Sequence, residues 1–157
     1  MAVINRSIKI DSSSNFQIID ITSYIITVLN DIKKEKKCDE GIVSIFTKHS
    51  TSAIRVNENE KGLLNDFKKV LKDLIKENDN YRHDVIDNNA ASHIRAFLLG
   101  SSETIPISDG RLNLGTWQSI FFIELDGPRR SRTIDLTFIV DEWFRKNQLI
   151  GGEKWNY

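Results

Sequence analysis

The chain has 157 residues, of which 39% are hydrophobic, and its 22 basic and 22 acidic side chains cancel. This size suits one domain with a full core, and the balanced charge argues against bulk electrostatic binding to nucleic acid or to an anionic membrane. No membrane span of ~18 apolar residues or signal-peptide layout is visible, and a single cysteine is typical of a reducing interior, so we expect a cytoplasmic protein.

The pattern of apolar residues predicts seven strands and three helices. The first two strands flank the turn-rich segment 11–15, which favours a hairpin, and the third and fourth are expected to pair as antiparallel neighbours. In chain order the elements are strands 7–10 and 16–19, a helix over 22–32, strands 42–46 and 51–56, helices 63–75 and 87–99, and strands 104–107, 117–125 and 132–140.

The resulting order, β-β-α-β-β-α-α-β-β-β, indicates an α+β fold with mostly antiparallel strands. Neither a linker nor an internal repeat divides the sequence, so residues 1–140 are expected to form a single domain. The tail 141–157 mixes aromatic residues such as Trp143, Phe144 and Trp155 with charges, and it carries no assignment.

The three histidines, His49, His83 and His93, are the most informative candidates for chemistry. Neutral imidazole is the commonest metal ligand and the readiest proton carrier near pH 7. His49 follows a predicted buried strand and precedes the hydroxyls of Ser50 and Thr51. The alternative for His49 is a hydrogen-bonded residue that closes a β-turn.

The segment between His83 and His93 adds further polar groups. Asp87 is expected at the start of a helix, where it caps the helix or serves a site. Asn88 and Asn89 are residues that helices do not favour, and Asn89 lies one helical turn before His93. A helix N-terminus also suits a phosphate group. The spacing matches no standard zinc motif, so the metal signal from spacing alone is weak.

Three arginines follow a predicted strand, at positions 129, 130 and 132. The guanidinium fork binds phosphate or carboxylate with two hydrogen bonds. The alternative is a solvated cluster in which Glu124 and Asp126 pair with the arginines.

Six motifs, taken together and in this order, resemble the YjbQ-like family, which is also labelled secondary thiamine-phosphate synthase. The likeness covers about residues 3–140, and the six together are specific although no single motif is. They are His49–Ala53, Asn57–Glu58, Tyr81–His83, Asp87–His93, Gly115–Gln118 and Asp126–Arg129.

The resemblance implies a pseudo-barrel or sandwich of antiparallel strands capped by helices and assembled as a homotrimer. The family label implies joining a pyrimidine diphosphate to a thiazole phosphate, with diphosphate leaving and a divalent metal, zinc or magnesium, assisting. The family's His-Thr-Thr-Ala departs here, because Ser50 replaces the first Thr and an additional Ser52 precedes Ala53.

We therefore expect an enzyme that acts on a small phosphorylated metabolite, without nucleic-acid or membrane partners. The alternative is a non-catalytic trimer that binds a metal or a metabolite; a purely structural protein would scatter its histidines. The metal ligands are expected to be His49, His83 and His93. The expected catalytic residues are His49, Glu58, Asp87 and His93. The expected substrate-binding residues are Ser50, Thr51, Asn88, Asn89, Gln118 and Arg129.

Overall fold

The computed structural model describes residues 1–36 and 38–141. These residues form eight strands and three α-helices, and the unassigned tail beyond position 141 lies outside them. The strands are β1 Ala2–Ile10, β2 Gln17–Asp20, β3 Gly41–Thr47, β4 Ser52–Glu58, β5 Ser102–Ser108, β6 Arg111–Leu112, β7 Gln118–Glu124 and β8 Arg132–Val140. The helices are α1 Thr22–Glu35, α2 Lys61–Leu74 and α3 Ala90–Leu99, with a short 3-10 helix at Arg82–Val85.

The predicted α+β class and the order of its ten elements are confirmed. The structure adds only the two-residue strand β6 and the 3-10 helix. The strands form two antiparallel sheets, one in the order β1-β8-β3-β5-β6 and the other in the order β2-β7-β4. Within the described residues, no helix is long and apolar enough to cross a membrane.

Two predicted strand pairings are wrong. β1 pairs with β8, and β2 pairs with β7, so the turn over 11–16 carries the chain from one sheet to the other instead of closing a hairpin. β3 and β4 also lie in different sheets, so they are not partners. A turn signal marks where the chain changes direction, but the partner of a strand depends on residues far away in the sequence.

The three-stranded sheet is buried on both faces. Ile54, Ile120 and Phe122 pack into a core that α1 and the five-stranded sheet complete. Phe121 and Ile123 point the other way, into a second core beneath α2 and α3. This double burial explains why β7 reads as a continuous apolar run, whereas β8, which has one buried face, alternates strictly.

Replacing Phe138 by alanine is expected to lower the free energy of unfolding by ~3–5 kcal/mol, because its fully buried ring on the interior strand β8 would leave a cavity. Urea denaturation measures the change. Val70→Ala on α2 is the control, because Val70 is 63% exposed, and its effect should stay within ~0.5 kcal/mol. A loss below ~1 kcal/mol for Phe138→Ala would contradict this core.

Candidate functional site

His49 lies on the corner where the chain leaves the five-stranded sheet and enters the three-stranded one. The corner is held by its own hydroxyls: the Oγ1 of Thr47 and the Oγ of Ser52 lie 2.7 Å apart. The Ser52 hydroxyl also donates to the His49 carbonyl at 3.1 Å, and the Ser52 backbone N–H donates to the same oxygen. The backbone at His49 is therefore fixed before any ligand binds.

The ring of His49 is fixed by the neighbouring strand β8. Its Nε2 accepts a hydrogen bond from the backbone N–H of Thr133 at 3.0 Å. A neutral imidazole whose Nε2 accepts must carry its proton on Nδ1. Partial burial lowers the pKa of His49, and the nearby Arg132 cation lowers it further, while Glu124 opposes the shift. His49 is thus a neutral ring that offers a donor at Nδ1.

A buried ion pair lies next to this contact. The Nε of Arg132 donates to one carboxylate oxygen of Glu124 and its Nη2 to the other, both at 2.7 Å, and neither residue is exposed by more than 8%. The Ser12 hydroxyl and the Asp126 backbone N–H also donate to the Glu124 carboxylate. Arg132 donates in addition to the hydroxyl of Thr51. Thr51, predicted to bind substrate, is therefore buried and engaged inside this network.

A cleft of about 370 Å³ opens between the His49 corner and helix α3. Its volume lies in the range typical of small-molecule sites. His49 forms one wall and His93 the other, so the structure brings these two predicted residues to the same cleft. The lining residues are His49, Ser50, Ser52, His93, Ala96, Phe97, Gly100 and Ser101.

His93 and His83 contact each other edge to face. Their ring centroids are 4.9 Å apart, and the rings are nearly perpendicular, at 81°. His93 and Phe97 line both the His49 cleft and a second depression of about 430 Å³ that includes Tyr81 and His83. Because His83 contacts His93, the third histidine also lies beside the His49 cleft.

The three histidines of one copy do not fit a shared metal ion. Across residues 1–36 and 38–141, no group of three or more His, Cys, Asp or Glu side chains could hold one. His49 could ligate through Nδ1 only with its proton moved to Nε2, where that proton would face the N–H of Thr133. A bound divalent metal stays a prediction, but it would need a different set of ligands.

The structure separates Glu58 and Gln118 from the cleft within one copy. They are cross-strand partners at the end of β4 and the start of β7, and the Gln118 side chain accepts from the Gly115 N–H. Ser52, at the other end of β4, is six residues from Glu58, a distance of ~20 Å along a strand. Their predicted catalytic and binding roles would require another copy of the chain, or a different site.

The start of α3 differs from the sequence prediction. The helix begins at Ala90 with Asn89 as N-cap, so the prediction that Asp87 begins it is wrong. The carboxylate of Asp84 accepts from the Ala90 N–H at 2.9 Å. This N–H group at the helix N-terminus, which was expected to suit a phosphate, is therefore already hydrogen-bonded to a carboxylate. Asp87 is exposed, and Asn88 adopts a left-handed backbone with φ of 51°.

Asn89 and Arg129 meet on the same acidic residue. The Asn89 amide donates to Asp126 at 3.3 Å, and the Arg129 guanidinium donates to the same carboxylate oxygen at 2.9 Å. Arg129 therefore pairs with Asp126, as expected if the arginine cluster is neutralised by neighbouring carboxylates. Neither residue lines the His49 cleft.

The sequence analysis named Glu124 and Arg132 only as members of a solvated charge cluster, so it missed the burial of their ion pair, and it did not identify Thr133. Two signals pointed to the ion pair. Arg132 shares the alternation phase of Ile134 and Leu136, so it faces the core, and Glu124 interrupts an apolar run that is buried throughout. A backbone N–H such as that of Thr133 leaves no signal in the sequence.

Comparisons with known proteins show which family and fold this chain shares. A family model described as UPF0047 protein YjbQ-like matches residues 6–141. A UPF0047 protein of Methanothermobacter thermautotrophicus is 46% identical over 132 residues, which cover 84% of this chain and 90% of that protein. The UPF0047 protein YugU of Bacillus subtilis is 33% identical, over 79% of this chain and 91% of its own.

Solved structures agree with these sequence matches. A YbjQ-like protein of unknown function from Sulfolobus solfataricus superposes with a TM-score of 0.83 at 34% identity, and the match covers 89% of this chain and 99% of that one. A hypothetical protein from Aeropyrum pernix gives 0.82 at 32% identity, over 88% of this chain and 99% of its own.

Removing one partner of the buried ion pair should be far more damaging than removing an exposed one. Glu124→Gln leaves Arg132 buried without its counter-charge, so unfolding in urea should show a loss of ~3–5 kcal/mol. Arg129→Met breaks the ion pair between Arg129 and Asp126. Because the Arg129 side chain is 53% exposed, the free energy of unfolding should fall by only ~0–1 kcal/mol. Equal losses of unfolding free energy in the two variants would contradict the conclusion that the buried Glu124–Arg132 pair contributes more to stability than the exposed pair.

The His49 ring should titrate below the ordinary histidine value, as followed by NMR of the imidazole. Because burial and Arg132 lower its pKa in the folded state, the unfolded chain binds more protons once the pH falls below ~6.5. The neutral ring therefore adds stability above that pH, and the contribution is lost as the pH falls further. His49→Gln should show a shallower acid loss of stability than wild type. A titration midpoint above ~6.5 would contradict the hydrogen bond from the Thr133 N–H to Nε2, which favours the neutral ring.

Proposed function

This chain belongs to the YjbQ-like UPF0047 family, and we propose that it is an enzyme whose His49 cleft binds a small phosphorylated metabolite. The observation that carries the proposal is the hydrogen bond from the Thr133 N–H to Nε2 of His49. It makes the ring a neutral donor, and a fixed donor suits a phosphate oxygen.

The composition of the cleft supports an anionic ligand. Its described lining contains two imidazoles and the hydroxyls of Ser50 and Ser101, and it contains no carboxylate. Phe97, which is 89% exposed, adds an apolar ring against which an uncharged part of the metabolite can pack. A ligand with a phosphate at one end and a ring at the other matches both features.

The proposed mechanism gives the two histidines different roles. His49 donates from Nδ1 to a phosphate oxygen and stabilises the charge that develops there as a bond to that group breaks. His93, on the opposite wall, takes up or delivers a proton. A thiamine-phosphate synthase-like reaction, in which diphosphate leaves as pyrimidine and thiazole units join, is one transfer that such an arrangement would serve.

The remaining partners stay predictions. A divalent metal, zinc or magnesium, would not be held by the three histidines of one copy; magnesium would instead be bound in part by the phosphate groups of the substrate. A closed homotrimer would cover an exposed sheet edge such as the one at β1. A cytoplasmic location fits the single cysteine. The alternative function is a non-catalytic trimer that binds a metal or a metabolite in the same cleft.

Diphosphate binding, measured by titration calorimetry, tests the cleft. His49→Phe keeps the ring shape but removes the donor, and His93→Asn removes the proton carrier. Each is expected to weaken binding or turnover by ~10-fold or more, with thermal stability near wild type for His93→Asn. Arg111→Gln is the control, because it removes a full charge near the opposite end of β5.

Three results would count against the proposal or against one of its parts. Wild-type binding in both histidine variants would remove the cleft as the site. Tight binding of phosphorylated compounds without release of any product, including diphosphate from a pyrimidine diphosphate mixed with a thiazole phosphate, would favour the non-catalytic alternative. An early-melting His93→Asn variant that still binds fully would make His93 a packing residue.

A further inference from the structure

A groove separate from the His49 cleft lies between α1 and β6. It has a volume of about 420 Å³ and an apolar floor that includes Ile26, Leu112 and Leu114. Ile26 is 42% exposed there although it belongs to a helix whose other face is fully packed. Lys33 and Arg111 line the rim, and the Lys33 ammonium group donates to the Gly110 carbonyl at 2.9 Å. The groove thus combines exposed apolar surface with positive charge.

The chain leaves β8 at the same end of the sheet as this groove. Val140 pairs with Gly41, Gly41 with Ile107, and Ile107 with Leu112, so these residues form one row across the sheet. Three steps between strands correspond to ~14 Å. The Asp141 N–H donates to the Glu40 carbonyl at 3.1 Å, which fixes the exit point.

The sequence after this exit has the length and the composition to fill the groove. Residues 142–157 lie beyond the part that matches the family. An extended chain covers ~14 Å in four to five residues, so the segment is long enough for Phe144 and the residues after it to reach Leu112. Phe144, Leu149 and Ile150 supply apolar side chains that suit the apolar floor. Arg145, Lys146 and Lys154 outnumber Glu142 and Glu153, so apolar contact rather than charge favours the match.

We infer that residues 142–157 dock into the α1–β6 groove of their own chain, with Phe144, Leu149 and Ile150 on its apolar floor. The tether favours the same chain over a second copy, because a short linker gives a local concentration in the millimolar range. The docked segment covers the open edge of the five-stranded sheet at β6, where unpaired backbone groups would otherwise meet solvent. This role is independent of the proposed function of the His49 cleft.

Hydrogen exchange of the full-length chain tests the inference at two amides beside the groove. The Asn113 N–H donates to the Pro106 carbonyl and the Leu114 N–H to the Leu112 carbonyl, so both report on β6. Replacing Phe144, Leu149 and Ile150 together by serine should speed exchange at both amides by ~10-fold. Ile26→Asp in the groove should do the same. Val70→Asp on α2 is the matched control and should leave both amides unchanged, since Val70 is 63% exposed.

The tail variant changes no residue of the folded domain, so it decides the question even if Ile26→Asp fails to fold. Unchanged exchange in the tail variant would overturn the inference. Protection in wild type that disappears on dilution would also overturn it, because the groove would then be filled by the tail of a second copy. Protection that is independent of concentration and lost in the tail variant is the expected result.

Discussion

The two sheets of this structure meet at a buried ion pair between Glu124 and Arg132. Glu124 ends β7 in one sheet and Arg132 begins β8 in the other, so the pair ties the two sheets together. Ser12, from the β1–β2 connection, and Thr51, from the β3–β4 connection, bond to the same pair. Three crossings between the sheets therefore converge on two charges. Burying them costs several kcal/mol per ion, and that cost is offset only when every donor is in place, so the pair specifies one arrangement of the corners.

The same pair links the fold to the chemistry of the cleft. Thr133 follows Arg132 directly, so fixing the guanidinium also fixes the backbone N–H that reaches Nε2 of His49. The Arg132 cation and partial burial both lower the pKa of the ring. A histidine on a loop would ordinarily change tautomer and charge freely near neutral pH. Here the strand register decides which nitrogen carries the proton.

Helix α3 supplies the opposite wall, and its position is equally determined. The Ser92 hydroxyl donates to the Leu125 carbonyl at 2.5 Å, next to the ion pair. Arg95, fully buried, donates to Glu77 at 2.6 Å and lies over the Phe16 ring, which ties the helix to the end of α2 and to the second core. His93 therefore faces His49 from a rigid helix rather than from a mobile loop, as a preorganised binding site requires.

Local periodicity and ordered motifs were enough to predict the α+β class, the order of the elements and the family, and they pointed to His49 and His93, which the fold brings to one cleft. The alternation of apolar residues along β8 also indicated that Arg132 points toward the core. Tertiary structure decided the rest. It placed β1 and β3 away from their sequence neighbours, began α3 at Ala90, and moved Glu58 and Gln118 to the far end of β4 from the cleft. The hydrogen bond from the Thr133 backbone N–H also determines that the proton of the neutral His49 ring lies on Nδ1. The physical reason is that strand pairing, helix entry and hydrogen bonds to backbone groups are chosen by contacts between distant parts of the chain, and a local pattern of side chains does not encode them.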